Sequence, residues 1–265
     1  MDFFEGKRVV ITGASSGIGA ELATQLAVKK ARLTLAARNL ERLQEVANAC
    51  QKAEAAALAV RADVAREDDC RVLMEKAVAF GGGLDIAILN AGISMYSRFE
   101  DIRDLSIFNT LMQTNFMGAV YCTRYALPAL KESKGRLVVV SSLGGKTGLP
   151  TRSAYAASKH ALHGFFESLR GELHASGVRI TIVCPGPVLT EVRQRALSSD
   201  GTALGHTSID ESGSMSAAEC ARRILEATRK GKREEIMTVA GKVGQYARLF
   251  VPGVIDRIVR KKVGL

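Results

Sequence analysis

The stretch RVVITGASSGIG, residues 8–19, joins a β-branched apolar run to a turn with glycines at three positions. Such a turn between a strand and a helix lets the backbone approach a phosphate closely, and the helix N-terminus then offers unpaired N–H groups. The alternative for an isolated pattern is an ordinary glycine-rich loop. We predict a nucleotide site in which six residues of the turn contact the ligand: Gly13, Ser15, Ser16, Gly17, Ile18 and Gly19.

Further apolar runs alternate with helical patterns along the chain. They are continuous rather than alternating in polarity, which is typical of strands in a parallel sheet covered on both faces. We therefore predict an α/β fold, a Rossmann-type doubly wound sheet of about seven strands with a C-terminal helical extension. The predicted strands are RVVITGA (8–14), RLTLAAR (32–38), AALAVRADV (56–64), LDIAILNAG (84–92), RLVVVSS (136–142), VRITIVCPG (178–186) and EEIMTV (234–239).

Composition favours a globular protein: 47% of the 265 residues are apolar and 25 are glycine. The five cysteines form no CxxC pair, and the four histidines are dispersed, so we predict reduced thiols and no metal site. No segment approaches the ~18 apolar residues that span a bilayer, and the N-terminus lacks the pattern of a signal peptide. We expect one domain over residues 1–265 in the cytoplasm.

The end of the second predicted strand indicates which nucleotide binds. NAD sites place a carboxylate here for the ribose hydroxyls, whereas this chain has Ala36, Ala37 and then Arg38. A guanidinium can bind a 2′-phosphate through two hydrogen bonds, so we predict NADP(H); the alternative for Arg38 is a solvated charge at the helix start. Asp63 and Val64, after the third strand, are assigned to the adenine, although a lone Asp is also typical of a loop cap.

Later motifs make the assignment specific. LNAG (89–92), QTNFMG (113–118), a serine 13 residues before a YxxxK pair, and CPGPVLT (184–190) follow the glycine turn in order. Over about residues 7–190 the chain resembles the classical short-chain dehydrogenase/reductase family. It departs at Leu89, where the family has Asn, and we expect that leucine in a buried strand. The resemblance implies further cofactor contacts from Asn90, Ala91, Gly92, Tyr155, Lys159, Pro185, Gly186, Val188 and Thr190.

The resemblance also implies a catalytic set of Asn115, Ser142, Tyr155 and Lys159. Tyr155 and Lys159 share a helix face, and a cation at about 4–6 Å can lower a tyrosine pKa by roughly 1–3 units. In this family Tyr155 would supply the proton, Ser142 would polarise the carbonyl, Asn115 would fix a water, and Lys159 would hold the ribose. Ser141 is the alternative serine, but neighbouring strand residues point to opposite faces, and the family spacing selects Ser142.

The C-terminal part carries most of the charge. Twelve Lys and Arg stand against four Asp and Glu from residue 222 onward, within a net charge of +10. The tail, residues 242–265, fits a basic amphipathic helix interrupted at Pro252. It could pack on its own domain, at a homodimer or homotetramer interface, or on the cytoplasmic face of an anionic membrane. Nucleic acid is not expected, because no aromatic platform accompanies the basic residues.

These patterns together predict an NADP(H)-dependent oxidoreductase that interconverts a carbonyl and an alcohol. The tail resembles the hydroxysteroid dehydrogenase-like branch, which favours an apolar or lipid-like substrate. Residues 190–215 are polar and lie after a strand's carboxyl end, where α/β folds place substrate loops. The alternative is an NADPH-binding regulatory or scaffold protein without turnover, and the filled catalytic positions count against it.

Overall fold

The computed structural model describes residues 2–205 and 213–262. Its strands are β1 (Arg8–Thr12), β2 (Arg32–Ala37), β3 (Ala57–Arg61), β4 (Ile86–Leu89), β5 (Arg136–Val140), β6 (Arg179–Cys184), β7 (Val188–Leu189), β8 (Met215–Ser216) and β9 (Glu234–Ile236). Its α-helices are α1 (Gly17–Val28), α2 (Leu40–Lys52), α3 (Glu67–Gly81), α4 (Ser106–Leu111), α5 (Gly118–Glu132), α6 (Ser153–Glu172), α7 (Ala217–Lys230), α8 (Val239–Phe250) and α9 (Pro252–Lys262).

The main sheet has seven parallel strands in the order β3-β2-β1-β4-β5-β6-β9. The strand order reverses between β1 and β4, which pair side by side. This is the doubly wound topology that the continuous apolar runs predict, and each predicted strand is present. A ligand crevice forms at such a reversal, beyond the carboxyl ends of the strands.

Apolar side chains cover both faces of the sheet, which explains why the strands read as continuous hydrophobic runs. On one face the core includes residues of α1, α2 and α7, and on the other it includes residues of α3, α5 and α6. Leu89 is only 4% exposed at the end of β4, as expected for the departure from the family motif. Removing this apolar surface from water stabilises the fold by roughly 25 cal/mol per Å².

Sequence patterns that mark helix ends agree with the structure at the start of α7 and within the tail. The Ser216 side chain accepts a hydrogen bond from the Glu219 amide at 3.1 Å and so caps α7. The tail forms two helices, α8 and α9, which meet at Val251 and Pro252, where the proline interrupts the helical pattern. Among the residues that the structure describes, no helix is both long and apolar enough to cross a membrane.

Candidate active site

The glycine turn between β1 and α1 is closely packed. A Cβ on Gly19 would lie 2.1 Å from the Gly13 carbonyl oxygen, and one on Gly13 would lie 2.9 Å from the Ala91 Cα. Gly13 and Gly17 also have φ of +67° and +55°, which glycine adopts without strain. Ser16 is the N-cap of α1, but its side chain makes no capping hydrogen bond, so the first-turn amides remain available. The turn therefore fits a phosphate-binding role.

Two other residues of the turn contribute differently. Ile18 is partly buried and packs against the core below α1, which anchors the helix start. Ser15 is half-buried within the turn itself. Ser15 and Ser16 therefore form the polar part of the turn, and Ile18 forms the apolar part that faces the core.

The predicted adenosine end of the crevice lies at the carboxyl ends of β2 and β3. Arg38 directly follows β2 and is exposed, and its guanidinium forms no hydrogen bond or ion pair within residues 2–205 and 213–262. The Asp63 Oδ1 accepts a hydrogen bond from the Ala65 amide, so part of its role is to order the loop. Val64 is buried, and it lies against Gly118, where a Cβ would come within 2.9 Å of it.

The LNAG segment ties β4 to the glycine turn. The Asn90 side chain donates to the carbonyls of Thr12 and Gly13 at 3.0 and 3.2 Å, and the Ala91 amide donates to the Thr12 hydroxyl. Asn90 is therefore a positioning residue for the turn. Gly92 faces the catalytic side: a Cβ there would lie 3.2 Å from Asn115 Oδ1.

Ser142 and Tyr155 meet beyond the carboxyl end of β5. Ser142 is the second residue after that strand, and its Oγ accepts a hydrogen bond from the Gly144 amide at 3.1 Å. Ser142 also interacts with Tyr155, in the first turn of α6, and this interaction acts to lower the pKa of the phenol. The backbone thus fixes the serine hydroxyl beside the phenol.

Ser141, the alternative serine, points to the other side. Its Oγ lies 3.1 Å from His163 Nε2 and is buried. The opposite orientation of adjacent strand residues explains why only Ser142 can reach Tyr155.

Lys159 lies one turn after Tyr155 on α6. Its Nζ is 5.8 Å from the Tyr155 ring centroid and donates to the Val140 carbonyl at 2.9 Å. Burial lowers the lysine pKa to about 8. The predicted lowering of the Tyr155 pKa by Lys159 is not what the structure shows: burial raises the pKa of the phenol, while the Ser142 hydrogen bond and the charge of Arg152 oppose that rise.

Asn115 is held rigidly near Lys159. It lies in a π-helical segment, Met112–Met117, and is 2% exposed. Its Oδ1 accepts from the Ile93 amide at 2.8 Å, while its Nδ2 donates to the Ile93 carbonyl and the Ser158 hydroxyl. π-Helical turns are frequent at functional sites because they reorient one side chain without ending the helix.

The loop after β6 closes the site from the opposite side. The Pro185 carbonyl accepts from the Leu143 amide at 3.1 Å, which ties this loop to the segment that follows Ser142. A Cβ on Gly186 would lie 2.6 Å from Thr238 Cγ2, so a larger residue would clash there. Val188 is buried in β7.

Thr190, the first residue of the predicted substrate loop, packs against the glycine turn. Its Cγ2 lies 3.0 Å from where a Gly17 Cβ would be. The neighbouring Glu191 accepts from Arg42 of α2 at 2.8 Å and also contacts Arg195. The predicted substrate loop covers residues 190–215, of which 206–212 lie outside the described residues.

Sequence spacing does not reveal a buried polar cluster behind the site. His163, Cys184 and Glu234 come from α6, β6 and β9, and their polar atoms lie within 4.8 Å of one another. Lys146 forms an ion pair with the Glu234 carboxylate at 2.5 Å. Burial is the main cause that lowers the His163 pKa, to about 3, so this imidazole is neutral.

The five cysteines are buried and free of disulfides, in agreement with the scattered pattern. Burial raises the pKa of the Cys184 thiol to about 12. These thiols therefore behave as core residues rather than nucleophiles.

Comparison with known proteins agrees with this geometry. The family model described as short chain dehydrogenase matches residues 7–200. A "Dehydrogenase/reductase SDR family protein 7-like" of Dictyostelium discoideum is 37% identical over 264 residues, covering 97% of this chain and 82% of that protein. An "11-beta-hydroxysteroid dehydrogenase-like 4A" of Arabidopsis thaliana is 41% identical over 228 residues, covering 86% and 75%.

Among solved structures, an alcohol dehydrogenase from Thermococcus sibiricus complexed with 5-hydroxy-NADP superposes with a TM-score of 0.76 at 25% identity. The alignment covers 87% of this chain and 94% of that one. On its sequence and its fold, the chain belongs to the short-chain dehydrogenase/reductase family of nicotinamide-dependent oxidoreductases, with relatives in the hydroxysteroid dehydrogenase-like branch.

Proposed function

We propose that this protein is an NADP(H)-dependent reductase that converts a ketone or aldehyde to an alcohol, or catalyses the reverse. The observation that carries the proposal is the meeting of Tyr155 with Ser142 at the carboxyl end of the sheet. Lys159 and Asn115 flank Gly92 beside them. Four chemically complementary side chains converge where this fold binds ligands.

Each side chain has a role that its contacts support. When bound, the nicotinamide supplies the hydride. Tyr155 donates the proton to the carbonyl oxygen, and Ser142 orients and polarises that oxygen through its hydroxyl. Lys159 would hold the nicotinamide ribose, and Asn115 keeps the backbone at Ile93 in place for a proton path. Tyr155 is protonated at neutral pH, and the Ser142 and Arg152 side chains, which act to lower its raised pKa, favour release of the proton.

The preference for NADP(H) rests on Arg38. Its exposed, unengaged guanidinium follows β2 where an NAD site has a carboxylate. The related alcohol dehydrogenase was solved with an NADP analogue, which supports the same choice. The glycine turn with its available amides would bind the pyrophosphate, and Asp63 with Val64 would border the adenine.

An apolar substrate body is supported by the wall beside Tyr155. A small cluster of Met95, Ile107, Leu111 and Ala154 is fully or almost fully buried, and Leu197 packs against it. Met95 and Leu197 also pair as a β-bridge, which joins the loop after β4 to the substrate loop. A hydrocarbon segment would contact the partly exposed side chains packed on this cluster, such as Leu197, next to the proton donor.

The tail supports contact with an anionic membrane surface. Helices α8 and α9 expose large apolar side chains, including Leu249 at 66% and Phe250 at 83%. Basic residues accompany them, as in helices that lie at the lipid interface: Lys242, Arg248, Arg257, Arg260 and Lys261. The same exposed face also suits a subunit contact, so a homodimer or homotetramer remains a prediction that light scattering can decide.

A panel of ketones and aldehydes followed at 340 nm, with NADPH and NADH in parallel, tests the proposed function. We expect oxidation of NADPH that depends on the carbonyl compound, with kcat/KM for NADPH well above that for NADH. Tight NADPH binding without consumption across the panel would instead support a regulatory or scaffold role.

A further inference from the structure

Arg152 holds an unusual position at the mouth of the site. It is the N-cap of α6, three residues before Tyr155. The preceding Thr151 has a φ of +66°, a conformation that a β-branched residue rarely adopts. The Ser97 amide donates to the Thr151 carbonyl at 2.9 Å and so ties this strained turn to the loop after β4. Strain of this kind persists where the surroundings enforce it, often at ligand sites.

The Arg152 guanidinium has an aromatic neighbour but no anion. Its Cζ lies 5.4 Å from the Tyr96 ring centroid. Within residues 2–205 and 213–262 it forms no hydrogen bond and no ion pair. Arg152 is nevertheless half-buried, and burial lowers the pKa of its side chain. A partly desolvated cation without a counter-charge is unfavourable unless something binds it.

The surroundings place this charge at the substrate side of the catalytic tyrosine. Arg152 acts electrostatically on Tyr155, since its charge helps to lower the pKa of the phenol. Tyr96, on which it stacks, lines an open groove of about 690 Å³. The lining of this groove carries charges of both signs, from Glu100, Asp101 and Arg103, beside the hydroxyls of Ser97, Ser198 and Ser199. Arg152 lies next to the groove, behind Tyr96.

We infer that Arg152 recognises a carboxylate on the carbonyl substrate. An oxo acid would place its carbonyl at Tyr155 and its carboxylate against the guanidinium. One guanidinium matches one carboxylate in charge and in planar, two-bonded geometry. The inference rests on the proposed carbonyl reduction and narrows its substrate class from apolar carbonyl compounds to oxo acids.

The test compares linear oxo acids with their methyl esters, in a series that varies the number of methylenes between the carbonyl and the carboxylate. Arg152→Gln, Arg152→Lys, Arg103→Gln and Arg98→Gln are assayed with NADPH. Arg98 is the matched control, because it is exposed in the same loop region and already pairs with Glu100. Binding of the best acid is measured separately by calorimetry in Tyr155→Phe and in Tyr155→Phe with Arg152→Gln, both loaded with NADPH.

We expect the acid to exceed its ester in kcat/KM at one favoured chain length. Arg152→Gln should lower kcat/KM for that acid by about 10- to 100-fold, mainly through KM. The ester should lose clearly less and through kcat, because it shares only the effect of the Arg152 charge on Tyr155. Arg152→Lys should recover part of the preference, Arg98→Gln and Arg103→Gln should keep it, and the double variant should lose binding of the acid. Unchanged melting temperatures establish that the variants fold.

Three results would overturn the inference while leaving the proposed function intact. These are equal losses for acid and ester in Arg152→Gln, no preference for any acid, or a preference that depends on Arg103. If neither acids nor esters are reduced and the acid still binds through Arg152, carbonyl reduction fails instead of anion recognition.

Discussion

Burial changes the protonation equilibrium of Lys159. The spacing of Tyr155 and Lys159 correctly predicts that they share a helix face, but it contains no information about solvent. In the structure Lys159 is 4% exposed, and burial lowers its pKa to about 8. Burial likewise raises the pKa of Tyr155. The prediction that Lys159 lowers the Tyr155 pKa therefore left out desolvation, which raises that pKa. Desolvation depends on the packing of the whole domain and cannot be read from residue spacing.

Arg38 gives a direct test of cofactor choice. Arg38→Asp removes the guanidinium and adds a carboxylate that repels a 2′-phosphate but can accept from ribose hydroxyls. We expect KM for NADPH to rise by about 10- to 100-fold and KM for NADH to fall. Exchange of the nearby surface residue Arg61, by Arg61→Asp, serves as the charge control. Unaltered NADPH affinity in Arg38→Asp would refute the assignment.

His163 predicts an acid-sensitive stability. Its folded pKa of about 3 lies below the ordinary value of 6.5, chiefly because of burial. Between these values the unfolded chain binds a proton that the folded chain does not, so stability is lost as pH falls through 6.5. From pH 6.5 to 5 the free energy of unfolding should drop by about 1–2 kcal/mol more in the wild type than in His163→Gln.

Chemical denaturation at several pH values measures this difference. The exposed His174 provides the control, since His174→Gln should follow the wild-type curve. If wild type and His163→Gln lose stability in parallel below pH 6.5, burial of His163 does not govern the acid response.

At the scale of elements, the glycine turn depends on Gly19. A Cβ there would lie 2.1 Å from the Gly13 carbonyl and would force the turn apart. We expect Gly19→Ala to destabilise the fold by about 1–3 kcal/mol or more and to weaken NADPH binding. Thermal unfolding and calorimetric titration with NADPH measure both effects.

Gly164 offers the matched control within a helix. It lies in α6 with nothing within 4 Å of its would-be Cβ. Gly164→Ala should stabilise the protein by about 0.5–1 kcal/mol, because alanine loses less backbone entropy in a helix. The same sign for both substitutions would contradict the close-packing explanation.

Some elements could be read from the sequence, and others could not. The seven strands of the main sheet were predictable from continuous apolar runs, whereas the two-residue strands β7 and β8 were not. The start of α7 was predictable from its capping box at Ser216. The π-helical turn Met112–Met117 was not, because MQTNFM has the composition of an ordinary helix. Its register is set by the contacts of Asn115 with Ile93 and Ser158, which are distant in sequence.

At the scale of the whole molecule, a site is hard to predict from the sequence when its residues come from distant segments of the chain. The resemblance to a family predicted that Ser142 and Tyr155 lie together. The cluster of His163, Cys184 and Glu234 has no sequence signature, because it draws one residue from each of three elements. Arg152 was overlooked for the same reason: its stacking on Tyr96 depends on how two loops meet.

The exposed tail predicts binding to anionic lipid. The full chain should float with vesicles of phosphatidylserine and phosphatidylcholine at low salt, and less so at high salt. Leu249→Ser with Phe250→Ser should abolish flotation, because both residues are largely exposed on α8. Val28→Ser is the control, since Val28 is 69% exposed on α1, outside the tail. Failure of the wild type to float at low salt would discard the membrane proposal.

We propose that Tyr155 donates the proton in an NADPH-dependent carbonyl reduction. Tyr155→Phe keeps the ring and removes only the hydroxyl that meets Ser142. The most direct measurement is kcat of this variant on the best carbonyl substrate, together with its Kd for NADPH. We predict a loss in kcat of at least about 100-fold with Kd unchanged within about twofold. Turnover like that of the wild type would contradict the account.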